Sequence, residues 1–195
     1  YCCMPNIVIL ASGSGSNAQR IAEFFSGDDR VHIPLILSNN PRAYVLERAQ
    51  SLGIPARVFS REEFYAPGSI VSLLQEQNAD WIVLAGFLWK VPDALLRAFP
   101  GRIINIHPAL LPDYGGKGMY GHHVHEAVLR DGRPQSGITI HYVNEQYDAG
   151  EVILQARCPV LPSDTPDSLA ARVHTLEYAF YPVALQWCFF GSNQS

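Results

Sequence analysis

An asparagine and a histidine two residues apart, at the end of an apolar run, are the side chains whose types and spacing best fit catalysis. Asn105 and His107 stand in the segment NIHP, directly after GRII. Residues i and i+2 of a β-strand point to the same face. An Asn amide can donate a hydrogen bond to a developing oxyanion, and a His can give or take a proton near neutral pH. The pair therefore predicts a centre that handles protons.

A carboxylate further along the chain completes a candidate catalytic set. Asp148 lies in the loop from Asn144 to Gly150, which follows a predicted strand that contains His141. An Asp can orient a neighbouring His and favour its protonated form. We expect the three segments to converge at one edge of a sheet, which makes Asn105, His107 and Asp148 the predicted catalytic residues. No Ser or Cys stands in a nucleophile motif, which favours direct transfer of an activated group to a substrate nucleophile.

Each of these residues also has a structural interpretation. A single Asn or His at a strand end is more often a hydrogen-bonded structural residue, and an Asp before Ala-Gly is usually a turn former. A metal site is a third alternative, because His122, His123 and His125 follow closely. Helical residues two positions apart point in different directions, however, so we expect no metal here.

A glycine-rich turn follows the first apolar run. The run Asn6–Ala11 leads into SGSGS and then into a predicted helix from Asn17. Glycines permit a positive φ, and a helix N-terminus offers unpaired N–H groups, so this turn suits a phosphate. A dinucleotide would need a carboxylate after the second strand, where Ser38-Asn39-Asn40 stands instead. A plain tight turn is the remaining alternative.

Strand and helix patterns alternate along the chain. They predict an α/β fold: a single open, mostly parallel, Rossmann-like sheet with helices on both faces and an antiparallel C-terminal strand region. Strands are expected at 6–11, 33–38, 56–59, 81–85, 102–106, 137–143 and 151–158, and helices at 17–26, 43–52, 62–77 and 122–130. A last helix should begin at Pro166 behind the N-cap Thr165. Its predicted buried face consists of Leu169, Val173, Leu176, Phe180, Val183 and Trp187.

Composition and charge exclude several classes of protein. The chain has 195 residues and a formal net charge of −4, which gives no electrostatic footprint for nucleic acid or an anionic membrane. No apolar run reaches the ~18 residues of a membrane span. The four cysteines lack metal-site spacing, as is typical of reduced thiols in a cytoplasmic protein. We expect one domain over residues 4–195, a cytoplasmic monomer or homodimer acting on small molecules, with Tyr1–Cys3 a remnant ahead of Met4.

Six segments, spread over nearly the whole chain, match a known family. They are IVILASGSGSN, VLAGFLWKVP, GRIINIHPALLP, HHVHEAV, ITIHYVNEQYDAGEVILQ and ARVHTLEYAFYP. NIHPALLP with a later DAG resembles the 10-formyltetrahydrofolate-dependent formyltransferases, and the glycine turn with EYAFYP narrows the resemblance to the phosphoribosylglycinamide branch. The resemblance implies formyl transfer from 10-formyltetrahydrofolate to the amine of 5'-phosphoribosylglycinamide, in de novo purine biosynthesis.

The resemblance also implies a role for each catalytic residue. Asn105, with protonated His107, would stabilise the tetrahedral oxyanion. Asp148 would raise the basicity of His107 and help to relay a proton, through water, to the leaving folate nitrogen. His141 would support these three side chains without touching the reactants, while His123 and His125 match a paired-histidine segment with a structural or positional role.

Binding residues follow from the same resemblance. The ribose phosphate would be held by Gly15, Ser16 and Asn17, and the ribose hydroxyls by Glu177. The pterin slot would be lined by Leu88, Val91 and Ile103. Its edge would be read by the backbone of Tyr142, Val143, Asn144, Glu145, Gln146 and Tyr147.

Two segments depart from the family pattern. The loop Tyr114–Gly121 is longer than usual, and Trp89 and Lys90 replace other residues, which would shift folate-analogue selectivity if their side chains contact folate.

Three other functions stay open. A methionyl-tRNA formyltransferase would carry a further basic domain. A formyltetrahydrofolate hydrolase would not need the glycine turn, and a non-catalytic folate- or nucleotide-binding module would bind without turnover.

Overall fold

The chain divides into two compact units in the computed structural model, which describes residues 4–191. The first unit reaches to Ile104 and the second begins at Asn105. The expected remnant, Tyr1–Cys3, lies outside the described residues. Among the helices of residues 4–191, none is both long and apolar enough to cross a membrane.

The first unit is built around β1 (Asn6–Ala11). This strand pairs in parallel with β2 (His32–Ser38) and with β4 (Trp81–Leu84), and β2 pairs in parallel with the short β3 (Ala56–Val58). The strand order is therefore β3-β2-β1-β4. The apolar side chains of β1 are fully buried, and a parallel strand that is covered on both faces needs such a continuous apolar sequence.

Short helices connect these strands. They are α1 (Ser16–Phe25), α2 (Val45–Ser51), α3 (Arg61–Tyr65), α4 (Ser69–Glu76) and α5 (Asp93–Ala98). The helix expected over residues 62–77 divides into α3 and α4, because Pro67 cannot continue a helix and Gly68 adopts a φ of 80°. The helix α5 was not predicted from the sequence, since six residues are too few for a clear 3.6-residue pattern.

The second unit follows from β5 (Ile103–His107), the strand on which the chain passes from one unit to the next. It contains α6 (His122–Arg130), β6 (Gln135–Tyr142), β7 (Val152–Pro159) and α7 (Pro166–Phe190). The strand order is β5-β6-β7, and β6 pairs antiparallel with β7. The long helix α7 packs on α6, β6 and β7.

The start of α7 agrees with the prediction, and its buried face does not. Thr165 is the N-cap and forms a capping box with Ser168. The face expected to be buried is wrong beyond Val173, because Phe180, Val183 and Trp187 are exposed. The face that packs inward instead runs through Leu169, Val173, Glu177, Tyr181, Leu185 and Cys188. A carboxylate occupies one of these inward positions, so the hydrophobic pattern alone placed the face one residue off.

The fold class predicted from the sequence is confirmed. The described residues form seven strands of a mixed, mostly parallel sheet with an antiparallel C-terminal pair, and helices connect the strands. The carboxyl end of β5 and the turn after β6 bear the predicted catalytic residues.

Candidate active site

The three predicted catalytic side chains meet in the second unit. His107 places Nδ1 3.7 Å from Oδ2 of Asp148. Asn105, on the same strand, places its amide nitrogen Nδ2 3.2 Å from Nε2 of His141. The same Nε2 lies 3.7 Å from Oδ1 of Asp148. The carboxylate of Asp148 thus lies between two imidazole rings, and the four side chains form one cluster.

A backbone contact fixes the tautomer of His107. Nε2 lies 2.7 Å from the carbonyl oxygen of Tyr114. A carbonyl can only accept, so Nε2 must carry a hydrogen. The nitrogen that has the lone pair in the neutral ring is therefore Nδ1, which faces Asp148. Since the His107 side chain is only 5% exposed, the attraction between the charged ring and the carboxylate is screened little by water.

His141 orients the amide of Asn105. Nδ1 of His141 donates to the carbonyl oxygen of Tyr142 over 2.9 Å, so Nε2 of the neutral ring has a lone pair and accepts from Nδ2 of Asn105. Burial lowers the pKa of His141 and keeps the ring neutral, although Tyr142 and Asp148 act in the opposite direction. An amide nitrogen has two hydrogens. One binds His141, and the other is available to a ligand.

The position of the Asp148 carboxylate depends on the backbone conformation of Asp148 and on a hydrogen bond from the loop 114–121. Asp148 adopts a φ of 50°, in the left-handed region that is uncommon for residues other than glycine. Its Oδ2 accepts from the backbone N–H of Gly116 over 2.9 Å. Gly115 lies so near that a Cβ built there would come within 3.2 Å of Cβ of Asp148. The long loop 114–121 therefore contacts both His107 and Asp148.

Two polar residues that were not predicted from the sequence hold the backbone after His107 in place by hydrogen bonds. The hydroxyl of the buried Thr139 donates to the carbonyl of Ala109 (2.7 Å) and accepts from the N–H of Leu111 (3.0 Å). Gln155 on β7 donates from Nε2 to both Thr139 Oγ1 and the Leu111 carbonyl, each over 2.9 Å. A Thr and a Gln in strands are common, so residue type gave no signal. Only the pairing of β6 with β7 brings them together.

Glu177 lies in a second polar group of this unit. Its side chain is 5% exposed, and Oε2 lies 2.9 Å from Nδ1 of His174, which raises the pKa of His174. His125 of α6 is 2% exposed, and burial, with a smaller effect of His174, lowers its pKa to about 4. Among the described residues, Nδ1 of His125 has no hydrogen-bond partner. The prediction that Glu177 binds ribose hydroxyls stays a prediction, as does the structural role of His125.

The glycine turn of the first unit has the backbone that a phosphate loop requires. Gly15 is the N-cap of α1 with a φ of 72° and has no side chain to cap this end, while Oγ of Ser14 accepts from the N–H of Ser16 over 3.3 Å. A Cβ at Gly15 would come within 2.3 Å of Cγ2 of Val45, so no other residue fits without displacing α2. Ser16 begins the helix and Asn17 is buried within its first turn. Arg48, which was not predicted from the sequence, donates from Nε to the carbonyl of Ser14 over 2.7 Å and brings a positive charge to this turn.

The residues predicted to line a folate slot differ in exposure. In the first unit, Leu88 is 51% exposed, while Val91 and Ile103 are 4% and 1% exposed. In the second unit, Tyr142 ends β6, and the segment from Val143 to Tyr147 forms a loop in which Oδ1 of Asn144 accepts from the N–H of Gln146 (2.9 Å). The folate contacts of all these residues, including Val143 and Glu145, stay predictions.

The unusual residue Trp89 is part of an aromatic cluster in the first unit. Its ring lies 5.7 to 6.3 Å from four others: Phe59, Phe64, Tyr65 and Phe87. The carbonyl of Lys90 accepts from the hydroxyl of Tyr65 over 2.9 Å. The Trp89 side chain therefore has a packing role, independent of any contact with folate.

Two histidines at the start of α6, His122 and His123, lie beside acidic side chains on the surface. His122 and His123 both lie within 4 Å of Glu126 (3.6 and 3.4 Å), and His122 also lies 3.6 Å from Asp167. Within residues 4–191, no group of three His, Cys, Asp or Glu side chains is arranged to hold a metal ion.

The chain is similar in sequence to a known family. The family model described as formyl transferase matches residues 5–185. A chloroplastic phosphoribosylglycinamide formyltransferase of Arabidopsis thaliana is 42% identical over 181 residues, which are 90% of this chain and 62% of that protein. A phosphoribosylglycinamide formyltransferase of Haemophilus influenzae is 37% identical over 94% of this chain and 87% of that protein. The chain thus spans about three fifths of the plant relative and most of the bacterial one.

Solved structures resemble the fold over the same extent. The crystal structure of phosphoribosylglycinamide formyltransferase from Anaplasma phagocytophilum has a TM-score of 0.86 and 37% identity, and covers 95% of this chain and 87% of its own. That from Streptococcus pneumoniae has a TM-score of 0.85 and 40% identity, and covers 95% and 99%.

Proposed function

The chain belongs to the formyl transferase family and, within it, to the phosphoribosylglycinamide formyltransferases, and from that premise we propose its reaction. The formyl group of 10-formyltetrahydrofolate is transferred to the amine of 5'-phosphoribosylglycinamide, giving N-formylglycinamide ribonucleotide in purine biosynthesis. The observation that carries the proposal is the cluster in which Asp148 lies 3.7 Å from both His107 and His141 while His141 orients Asn105.

The chemistry requires one bond to form, one to break and one proton to move. The amine nitrogen attacks the formyl carbon and gives a tetrahedral oxyanion. The bond from that carbon to N10 of the folate then breaks. In the overall reaction the amine loses one proton and N10 gains one. The protein must therefore stabilise a transient negative oxygen and provide a site that accepts and returns a proton.

The cluster can supply both functions. The second N–H of Asn105 donates to the oxyanion, because its orientation is fixed by His141 before substrate arrives. Protonated His107 adds positive charge, and Nδ1, which has the lone pair in the neutral ring, passes the proton on to N10 through water. The carboxylate of Asp148 lies 3.7 Å from that nitrogen and orients the ring.

Substrate binding is proposed for the predicted residues of each unit. Gly15, Ser16 and Asn17 hold the ribose phosphate on the N–H groups of α1, a site supported by the positive φ and the close approach to Val45 at Gly15. Glu177 accepts from the ribose hydroxyls. The folate is held by Leu88, Val91 and Ile103 and by the loop from Tyr142 to Tyr147. No metal takes part, and the reactants are small molecules, met in the cytoplasm by a monomer or homodimer.

A spectrophotometric assay with 10-formyl-dideazafolate tests the proposal. Product should accumulate only when 5'-phosphoribosylglycinamide is present as well. Deformylation without the amine would instead indicate a hydrolase. Thermal stabilisation by either ligand without turnover would indicate a binding module. Formyl transfer to methionyl-tRNA, rather than to the ribonucleotide, would indicate the transfer-RNA branch of the family.

A further inference from the structure

The backbone of Tyr114 is in a conformation that needs support from its surroundings. Tyr114 adopts a φ of 56°, which a bulky side chain rarely tolerates. Its carbonyl is the acceptor, at 2.7 Å, for Nε2 of His107. The next two residues are glycines, which place little restriction on the direction of that carbonyl. Something other than the local chain must therefore fix Tyr114.

The side chain of Tyr114 is clamped by two charged residues. Its hydroxyl donates to Oδ2 of Asp131 over 3.0 Å and accepts from Nε of Arg133 over 3.1 Å. The guanidinium of Arg133 also lies 5.9 Å from the centre of the Tyr114 ring, and its Nη2 lies 3.3 Å from Oδ2 of Asp113. Both hydrogen-bonding capacities of the hydroxyl are used.

The clamp is anchored to the end of a helix. Asp131 is the C-cap of α6, and its N–H donates to the carbonyl of Ala127 over 3.0 Å. The N–H of Arg133 donates to the carbonyl of Val128 over 3.3 Å. The backbones of Asp131 and Arg133 are thus hydrogen-bonded to α6. This fixes where the two side chains that bind the Tyr114 hydroxyl begin.

Close packing does not hold the ring on all sides. Tyr114 lines a cavity of about 200 Å³ together with Leu110, Val128, Arg133 and Ser136. A ring beside such a space loses dispersion contacts on that side, so polar contacts must contribute more to its position.

We propose that Tyr114 is a positioning residue: the clamp of Asp131 and Arg133 on its hydroxyl directs its carbonyl at Nε2 of His107 and so keeps Nδ1 facing Asp148. The inference rests on the proposed function, in which Nδ1 of His107 carries the proton. Tyr114 itself touches no reacting atom. Loss of the clamp lets the ring of His107 adopt the other tautomer, with Nε2 unprotonated, and the rate falls without loss of binding.

The test combines imidazole 15N spectra with kinetics. In the wild type, the neutral His107 ring, assigned by comparison with His107→Gln, should show a protonated Nε2 and a lone pair on Nδ1. Tyr114→Phe keeps the ring and removes the hydroxyl, and it should give a mixture of tautomers. Its kcat should fall roughly 3- to 10-fold, the effect of about one hydrogen bond, with both KM values nearly unchanged.

Two arginine variants provide a matched pair. Arg133→Gln breaks the contact with the Tyr114 hydroxyl and should reproduce the spectrum and the kcat of Tyr114→Phe. Arg130→Gln removes a charge that lies 3.1 Å from the other oxygen of Asp131 without touching Tyr114, and should resemble the wild type. Arg133→Gln also gives the answer if Tyr114→Phe does not fold.

The spectra and rates of these variants either support or overturn the positioning role of Tyr114. A single Nε2-protonated tautomer and an unchanged kcat in both Tyr114→Phe and Arg133→Gln would overturn the inference. So would equal effects of Arg130→Gln and Arg133→Gln, because charge alone would then explain them. A wild type without formyl transfer would refute the proposed function instead, and the 15N spectra would still report on the clamp.

Discussion

At the scale of single residues, the protonation state of His141 decides what Asn105 can do. A neutral His141 accepts from the amide nitrogen of Asn105, so the donor end of the amide is held toward the cluster. A charged ring would carry a hydrogen on Nε2 and favour the opposite amide orientation, with the carbonyl oxygen toward it. Burial, which lowers the pKa of His141, therefore favours the amide orientation of Asn105 that the proposed mechanism requires.

Replacing His141 should separate orientation from binding. We expect His141→Leu to lower kcat roughly 10-fold, because Asn105 loses the acceptor that fixes its amide, with little change in KM. Steady-state kinetics of the purified variant, with a thermal melt as a check on folding, measures this. A rate equal to that of the wild type would mean that Asn105 needs no such partner.

The buried His125 should make stability depend on pH. The folded ring stays neutral down to about pH 4, because burial lowers its pKa, whereas the unfolded ring takes up a proton near the ordinary His pKa of 6.5. Between these values the unfolded state binds more protons, so stability falls as the pH falls from about 6.5 to 4, by at most about 1.4 kcal/mol per pH unit. Denaturant titrations of His125→Gln should show a smaller fall over this window.

The opposite sign applies to His174, whose pKa is raised by Glu177. The stability that His174 contributes is complete below the unfolded pKa and is lost as the pH rises through the folded pKa.

The control for His125→Gln is His123→Gln, because the side chain of His123 is 63% exposed. A pH dependence unchanged in His125→Gln, or equally changed in His123→Gln, would contradict the assignment to His125.

At the scale of elements, the segment after β5 owes its course to Thr139. The side chain makes two bonds to the backbone at Ala109 and Leu111 and a third to Gln155. Thr139→Val keeps the shape and removes the hydroxyl, leaving buried polar groups unpaired. We expect a loss of about 1–3 kcal/mol in the free energy of unfolding, measured by urea titration. A loss below about 0.5 kcal/mol would mean that water replaces the hydroxyl.

The turn before α1 should be intolerant of any side chain. Gly15→Ala combines a positive φ with a contact of 2.3 Å to Val45, so α1 or α2 must shift. We expect the KM for 5'-phosphoribosylglycinamide to rise roughly 10-fold or more, because the N–H groups at the start of α1 move away from the phosphate. KM for the folate should change little.

Gly53 provides the control for that variant. Gly53 also has a positive φ (69°), but no atom lies within 4 Å of a Cβ built there. Gly53→Ala should therefore lower stability without affecting KM. If both variants raise the KM equally, the phosphate is not bound at the turn of Gly15.

Element boundaries show where sequence patterns suffice and where they fail. The bounds of β1 and α6 follow from a continuous apolar run and from a stop at Asp131-Gly132, signals that depend only on nearby residues. The buried face of α7 was misplaced because Glu177 lies inward, where a pattern expects an apolar residue. Its burial follows from the packing of α7 on α6, β6 and β7, which no local pattern reports.

At the scale of the whole molecule, residue type indicated the proposed catalytic cluster, whereas the backbone contacts that support it could not be predicted. The proximity of Asn105, His107 and Asp148 could be predicted because these residue types suit proton transfer and because their segments match a family motif. The carbonyl of Tyr114 and the N–H of Gly116, which hold His107 and Asp148, could not, since every residue has these groups. The same holds for Arg48, whose partner is the carbonyl of Ser14.

The central claim is that Asn105, His107 and Asp148 together carry out formyl transfer. The most direct measurement is the rate of the chemical step, in single turnover, for Asn105→Ala, His107→Ala and Asp148→Asn, beside Asp167→Asn as a control at a carboxylate that is 91% exposed. We predict a loss of roughly 10²–10³ for Asn105→Ala and losses of at least that order for the other two, with the fold intact and the control unchanged. Near-wild-type rates in all three variants would contradict the account.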